Sequence, residues 1–265
     1  MTQLLARLSR RDCDIDDLTK ITEKDPVLAA QILQLSNSAI FGRLKPVTSV
    51  RHAIAMLGTA TLRKFALGSS ITNLFSRSKP AHTFSLIRFN LHSVATATLV
   101  ELLAETVHFE DSADAFLAGL LHDIGKLLIA VNFPRPYDDI LATAAMNNAV
   151  LSDVERDLIG IDHAELSGLA ISRWGLSEAI QWAATDHHAP DDAEADSLTR
   201  SGKLPLSVGV RCADRFVNHL GMGILPLPLP SQKSSELRIP GVAFAEEKVL
   251  AKFETEVKSL TEIFR

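Results

Sequence analysis

Residues 115–131 read AFLAGLLHDIGKLLIAV, an almost wholly apolar stretch that carries His122, Asp123 and Lys126 near its centre. Its apolar positions predict one continuous, buried helix. Burying an imidazole and two charged groups costs several kcal/mol each unless they are compensated. A bound metal ion or a closed hydrogen-bonded network would compensate them, so this stretch indicates a functional site as well as a core helix.

The rest of the chain shows helical periodicity nearly everywhere, without sustained two-residue alternation, and therefore predicts an all-α fold. Polar, proline-containing segments at 77–83 and 221–241 predict three parts. These are an N-terminal helical lobe (1–80), a second helical lobe (81–220) and a Pro-rich connection with a last helix (221–265). Ser49 and Gly58 predict the two ends of one helix, and Ser152 with Glu155 predicts a capping box at the start of another.

The composition is that of a globular protein: 265 residues, 46% hydrophobic and 22% charged. A formal net charge of -5 argues against bulk affinity for nucleic acid or anionic membranes. The two cysteines, Cys13 and Cys212, give no framework of bridges and fit reduced thiols. We find neither a signal peptide nor an apolar run of the roughly 18 residues that a membrane span needs, so we expect a cytoplasmic protein.

Several apolar helical segments each contain one ionisable residue or a small group of ionisable residues close together in sequence. They are His92, His122, Asp123, Lys126, His163, His187, His188 and Asp214. Neutral imidazole and carboxylate groups suit iron, manganese or zinc. Lys126 would hold a phosphate oxygen or pair with a carboxylate. Alternatively, single histidines are hydrogen-bonded core residues, His187 and His188 end a helix, and Asp214 pairs with a neighbouring arginine.

Five short motifs along the second lobe resemble those of the HD superfamily of metal-dependent phosphohydrolases. They are LHSVA, AFLAGLLHDIGK, GIDHAELSG, TDHHAP and CADRF. The first lobe, with DPVLAAQILQLSNSAIFG and TSVRHAIAMLGTATLRKFAL, resembles the N-terminal part of HDOD domains, the HD-related output domains of bacterial signalling proteins. The resemblance covers about residues 18–220 and implies an all-helical, two-lobed fold and a bacterial, cytoplasmic origin.

The resemblance also implies roles for individual residues. It implies metal ligands at His92, at the doublet His122 and Asp123, at His163, at the pair His187 and His188, and at Asp214, with Lys126 as the lysine that follows the doublet. Two departures stand out. No glycine-tyrosine-proline motif follows HHAP, which argues against cyclic-di-GMP hydrolysis. Arg88 stands four residues before His92, where some related enzymes have a glutamate for a further ion.

Two functions of different classes follow. The first is a signal-transduction output or scaffold module, whose pocket binds a metal, a small nucleotide or phosphate ligand, or a partner signalling protein, or is only structural. A modest basic surface of Arg43, Lys45, Arg51, Arg63 and Lys64 in the first lobe is interpreted as an ordinary solvated face. The second is a metal-dependent phosphohydrolase acting on a phosphomonoester or a nucleotide phosphodiester, with Asp123 and Lys126 as catalytic residues. The oligomeric state stays open.

Overall fold

The computed structural model describes residues 15–23, 26–37, 47–59, 62, 64, 66–67, 75, 78–189, 202–224, 237–239 and 241–263. The described helices are α1 (Ile15–Glu23), α2 (Pro26–Ser36), α3 (Val50–Leu57), α4 (Leu86–Leu103), α5 (Ala115–Leu121), α6 (Ile124–Asn132), α7 (Pro134–Asn147), α8 (Leu151–Ile159), α9 (His163–Arg173), α10 (Glu178–Thr185), α11 (Leu206–Val217) and α12 (Glu246–Ile263). A 3₁₀ turn (Ser112–Asp114) precedes α5 and a π-helical turn (Asn218–Met222) follows α11. Within these ranges one isolated bridge, between Phe109 and Leu204, is the only β pairing. The all-α prediction is confirmed.

Helix α3 begins and ends where the sequence predicts. Ser49 has an extended backbone and its hydroxyl accepts the amide of His52, and Gly58 ends the helix at a φ of 82°. The capping box predicted at Ser152 and Glu155 is wrong. Val150 precedes α8 and makes no side-chain cap, while Ser152 and Glu155 are both buried inside the helix. Glu155 turns instead toward His163.

The single helix predicted over residues 115–131 is also wrong, because it breaks at His122 and Asp123. In an unbroken helix the Gly125 amide would donate to the carbonyl four residues earlier. It donates instead to the Ser167 hydroxyl, at 2.8 Å. A Cβ at Gly125 would overlap the His163 carbonyl oxygen, so α6 lies directly against the start of α9. This tertiary contact replaces a helical hydrogen bond and leaves the doublet at a junction between two helices.

Helix α4 is the central element of the second lobe, because its side chains are buried on nearly every face. It packs against α5, α11 and α12. The approach to α5 is close, since a Cβ at Gly119 would lie 2.6 Å from the Cα of Ala97. Helix α10 packs between α5, α9 and α11. The elements that carry the candidate ligands are therefore neighbours in one bundle.

The N-terminal helices α1, α2 and α3 pack on one another, and their apolar side chains join those of the second lobe in one continuous core. The interpretation of Lys64 as part of a solvated face is wrong. Lys64 is 5% exposed, and its ammonium lies 3.0 Å from Glu101 of α4 and 2.5 Å from Glu256 of α12. Arg51 pairs with Asp16 at the surface. The other three basic residues of that face and Cys13 lie outside the described residues.

Over the described ranges, no one helix has both the length and the apolar character required to span a bilayer. One bent pair of segments, Ser112–Asn132 and Pro134–Asn147, meets that requirement by length and composition only.

Candidate metal centre

The structure brings all seven candidate ligands together. Helix α4 supplies His92, the α5–α6 junction supplies His122 and Asp123, the first residue of α9 is His163, the turn after α10 supplies His187 and His188, and α11 supplies Asp214. They form two sets that share Asp123, one with His92, His122 and Asp214, the other with His163, His187 and His188. Within each set the facing donor atoms lie within 4.8 Å of one another.

The first set is wholly buried. His92 Nε2 lies 3.0 Å from Asp214 Oδ1 and 3.4 Å from Asp123 Oδ2. His122 Nε2 lies 3.4 Å from each of the same two carboxylate oxygens and 3.4 Å from His92 Nε2. Two imidazoles and two carboxylates thus face one point between α4, α11 and the α5–α6 junction.

The second set lies on the other oxygen of Asp123. His163 Nε2 is 3.4 Å and His187 Nε2 is 3.5 Å from Asp123 Oδ1. His188 Nε2 is 2.7 Å from His163 Nε2, and its residue is the one exposed member of the set. Three imidazoles and one carboxylate make up this set, which gives it a higher share of nitrogen donors than the first.

These separations suit ligands of a common ion better than a closed hydrogen-bonded network. Most of them are 3.4–3.5 Å, which exceeds the 2.7–3.2 Å of an N–H···O hydrogen bond. Donor atoms about 2.1 Å from one ion lie about 3.0–3.4 Å apart in octahedral and tetrahedral sites. Asp123 Oδ1 and His187 Nε2 are buried without a hydrogen-bond partner among the described residues. The residues present therefore fit a divalent ion.

In three of the histidines the outer ring nitrogen, Nδ1, which faces away from the site, has a polar partner that fixes the orientation of the ring. His122 Nδ1 lies 2.7 Å from the Gly119 carbonyl oxygen, and His187 Nδ1 lies 2.6 Å from the Ala184 carbonyl oxygen. His163 Nδ1 lies 2.5 Å from the Glu155 carboxylate. A carbonyl accepts only from a protonated nitrogen, so Nε2 of His122 and His187 faces the site as the free donor when the ring is neutral.

The electrostatics of the first set keep a proton where a cation would bind. Burial alone would lower the pKa of His122, but Asp123 and Asp214 outweigh it and raise it to about 10. Burial would raise the pKa of Asp123, but Lys126 and His122 hold it well below its usual range. Contacts with His122 and His92 likewise hold the pKa of Asp214 down against its burial. The two carboxylates favour a cation between them, and a divalent ion entering the centre would displace the His122 proton.

Lys126 and Arg88 have settled partners. The Lys126 ammonium lies 2.7 Å from Asp123 Oδ2 and is 9% exposed, so it pairs with a carboxylate. Burial would lower the pKa of Lys126, but Asp123 and Asp214 outweigh it and raise it. Arg88 donates to the carbonyl oxygens of Gly223 and Ile224, where it braces the segment after α11.

A cavity of about 480 Å³ opens beside both ligand sets. His188 of the second set and Asp214 of the first line it, together with Arg156, Arg215, Asp162 and Asp186. Arg156 is paired with Asp153, at 3.3 Å, and with Asp162. A small molecule in this cavity would touch one ligand residue of each set.

Sequence reasoning missed the residues that support the ligands. Glu155 holds His163, and the Asn218 amide donates to Asp214 Oδ1 at 2.8 Å. Ser167 joins the Gly125 amide to the His163 carbonyl oxygen. Asn218 stands four residues after Asp214 on one helical face, a spacing that was available as a signal. Nothing local pairs Glu155 with His163, because α8 and α9 are separate helices.

The HDOD domain model matches residues 1–190 of the chain. Three solved structures share the fold. An HDOD domain protein from Geobacter sulfurreducens superimposes with a TM-score of 0.70 at 24% identity, covering 99% of this chain and 88% of its own. A protein from Marinobacter aquaeolei, provisionally named as a signal transduction protein, has a TM-score of 0.71 at 19% identity and covers 99% of this chain and 58% of its own. A protein from Shewanella amazonensis, provisionally named as a phosphohydrolase, has a TM-score of 0.69 at 22% identity, covering 100% and 92%.

A curated relative from Treponema pallidum, an uncharacterized protein, is 21% identical over 199 residues. The match covers 71% of this chain and 36% of the relative, so the chain spans about a third of that relative's length.

Proposed function

The chain belongs to the HDOD family, and from that membership we propose that it is a cytoplasmic, bacterial signal-transduction module with an HD-type centre for divalent ions. Iron, manganese and zinc are the ions that its imidazole and carboxylate donors suit. A partner signalling protein, or a small nucleotide or phosphate ligand, would bind one state of the module more tightly than another and shift the balance between them.

One observation carries the proposal: two ligand sets from separate helices meet at Asp123. Six of the seven ligands are at most 5% exposed, which is a costly burial for side chains that serve only the core. An ion held by such donors would tie α4, α9, α11 and the α5–α6 junction together. Gain or loss of the ion would therefore change how those helices pack, which is the kind of change that a signalling module transmits.

A second candidate function, phosphoester hydrolysis, is favoured by the 480 Å³ cavity, because its lining includes a residue from each ligand set. Bound ions would supply a water of lowered pKa and would polarise a phosphoryl oxygen. Arg156 and Arg215, which line the cavity, would position the substrate. The Lys126 ammonium lies 2.7 Å from Asp123 Oδ2. The Shewanella relative carries a phosphohydrolase name, and the Marinobacter relative a signalling one.

Elemental analysis of the purified chain, followed by a hydrolysis assay, tests both. We expect stoichiometric iron, manganese or zinc in the wild type, and its loss in His122→Ala and Asp123→Ala. Asp157→Asn, an exposed carboxylate of α8 that does not line the cavity, serves as the matched control and should keep its metal. If the wild type contains no metal after growth and reconstitution with each ion, the proposal is wrong.

Turnover then separates the two functions. The reconstituted protein is assayed with bis(p-nitrophenyl) phosphate and with p-nitrophenyl phosphate. Metal without turnover supports the signalling module. Metal-dependent turnover that disappears in Asp123→Ala and persists in Asp157→Asn would establish the hydrolase instead.

A further inference from the structure

Helix α8 brings two consecutive charged side chains to the start of α9. Glu155 is 0% exposed, and one of its carboxylate oxygens, Oε2, accepts the His163 amide at 2.8 Å and lies 2.5 Å from His163 Nδ1. Arg156 pairs with Asp162, the residue that precedes His163. Glu155 of α8 therefore contacts both the backbone and the ring of His163.

Glu155 is not the N-cap residue of α9, although it accepts the amide of His163. Asp162 already fills that place, since its side chain accepts the Glu165 amide at 2.7 Å. The carbonyl oxygen of His163 is held separately, by the hydroxyl of Ser167 at 2.7 Å, which in turn accepts the Gly125 amide. The contact between Glu155 and the His163 ring is thus additional to what fixes the helix start.

The three rings whose outer nitrogen has a partner differ in what that partner is. His122 and His187 use backbone carbonyls, whereas His163 uses a carboxylate. A carboxylate on the outer nitrogen fixes the Nδ1–H form of the ring and makes the inner nitrogen a more basic ligand than a carbonyl does. A buried carboxylate is costly, and Glu155 Oε1 has no hydrogen-bond partner among the described residues.

We propose that Glu155 is a positioning residue for the second ligand set: it holds His163 with Nδ1 protonated, so that Nε2 faces Asp123 Oδ1 as a strengthened donor. This inference rests on the proposed metal centre. The two sets then differ in their outer contacts. Glu155 contacts a histidine of the second set only, and no such carboxylate contact is described for His92 or His122 of the first set. One of two ion-binding events therefore depends on Glu155 and the other does not.

Titration of the metal-stripped chain with Co²⁺, followed by calorimetry and by visible absorption, tests this dependence. Two variants separate charge from orientation. Glu155→Gln keeps an oxygen that accepts from Nδ1–H but removes the charge, whereas Glu155→Met keeps the length and removes the acceptor. We expect Glu155→Gln to weaken one Co²⁺ event about tenfold and Glu155→Met about 100-fold, within the range for such outer contacts. The other event should change by less than about threefold.

Asp157→Asn, on the same helix and exposed, is the matched control and should leave both events unchanged. Far-ultraviolet circular dichroism of each metal-free variant checks that the fold is kept. If Glu155→Met fails to fold, Glu155→Gln decides alone: a tenfold weakening of one event supports the inference, and unchanged binding overturns it. Equal weakening of both events also overturns it, since that result describes a general structural loss.

A second readout needs no metal. Long-range ¹H–¹⁵N correlation spectra of the metal-free chain distinguish the two neutral forms of each histidine ring. We expect His163 in the Nδ1–H form in the wild type and in Glu155→Gln, and a changed ring form in Glu155→Met. An Nδ1–H form that persists in Glu155→Met overturns the inference. A wild type with this ring form that takes up no Co²⁺ overturns the proposed metal centre, and with it the support that Glu155 gives to metal binding.

Discussion

Asp123 is the residue on which the centre depends, because one carboxylate oxygen faces each ligand set and the same group pairs with buried Lys126. Asp123→Ala would leave the Lys126 ammonium buried without that partner. We expect the metal-free variant to lose about 3 kcal/mol of unfolding free energy, as broken buried ion pairs do. Urea denaturation in the presence of a chelator measures the loss.

The double variant Asp123→Ala/Lys126→Met supplies the control for that prediction. Removing both charges leaves no buried, unpaired group, so the double variant should lose clearly less than the sum of the two single losses. Purely additive losses would contradict the ion pair as the source of the effect.

Asp138 gives a prediction about pH at a site far from the ligands. Its Oδ1 accepts both the amide and the hydroxyl of Thr83, at 3.2 and 2.6 Å. Burial would slightly raise the pKa of Asp138, but these bonds lower it. A lowered pKa in the folded state means that the ionised form adds stability above the unfolded pKa, near 4, and that this is lost as pH falls through the folded value.

Asp138→Asn should therefore be less stable than the wild type at pH 7, by no more than about 0.5 kcal/mol, since solvent screens these exposed contacts. The difference should be smaller at pH 3 than at pH 7, because part of the wild-type carboxyl is then protonated. Urea unfolding at both pH values provides the measurement. A difference that stays constant with pH would mean that the charge of Asp138 plays no part.

Single residues were the most predictable part of the centre. Every candidate ligand that the sequence indicated lies in the cluster, because an ionisable group inside an apolar helix must meet a charged or polar partner, or a metal ion, to offset its burial cost. Lys64 shows the limit of that reasoning. The basic residues near it in sequence favoured a solvated face. Its partners Glu101 and Glu256 are distant in sequence and reach it only in the folded chain, from α4 and α12.

Among the helices, the break between α5 and α6 decides where the doublet points. Gly125 makes the break possible, since its missing side chain lets the His163 backbone approach and its amide reach Ser167. Gly125→Ala would push α6 away from α9 and separate Asp123 from His163. We expect a loss of about 2–3 kcal/mol of unfolding free energy together with weaker metal binding, because a backbone contact cannot relax as a flexible side chain does.

Thermal unfolding with and without Co²⁺ measures both effects of Gly125→Ala. Leu128→Ala, on the partly exposed side of the same helix, is a suitable comparison and should keep the stabilisation by Co²⁺. If Gly125→Ala were stabilised by Co²⁺ as much as the wild type, the contact between α6 and α9 would not matter for the centre.

Some helix boundaries could be predicted from the sequence and others could not. The end signals of α3, Ser49 and Gly58, are local, and both are confirmed. The α5–α6 break and the start of α8 were predicted wrongly for one reason. At both places a residue of the predicted pattern bonds to another helix: the Gly125 amide donates to Ser167, and Glu155 accepts the His163 amide. No local pattern records such a bond.

Across the molecule, Lys64 joins the N-terminal part, the central helix α4 and the last helix α12 at one point. Its side chain is 6% exposed, that of Glu101 is 12% exposed and that of Glu256 is 39% exposed, so the pair with Glu101 is largely shielded from water and the pair with Glu256 only in part. The Lys64 ammonium also lies 5.8 Å from the centre of the Phe116 ring on α5. Shielded pairs contribute more than surface pairs because water and salt screen them less.

Lys64→Met should therefore loosen the attachment of both ends of the chain to α4. We expect a loss of about 2–3 kcal/mol of unfolding free energy, because two carboxylates remain without their shared cation. Hydrogen exchange should rise in α1–α3 and in α12 while the helices of the centre stay protected. Lys252→Met is the matched control, since Lys252 joins α12 to the turn after α4 through Glu105 in an exposed pair. The unfolding midpoint of Lys252→Met should not change. If the two variants lost equal unfolding free energy, burial of the Lys64 pairs would not add to stability.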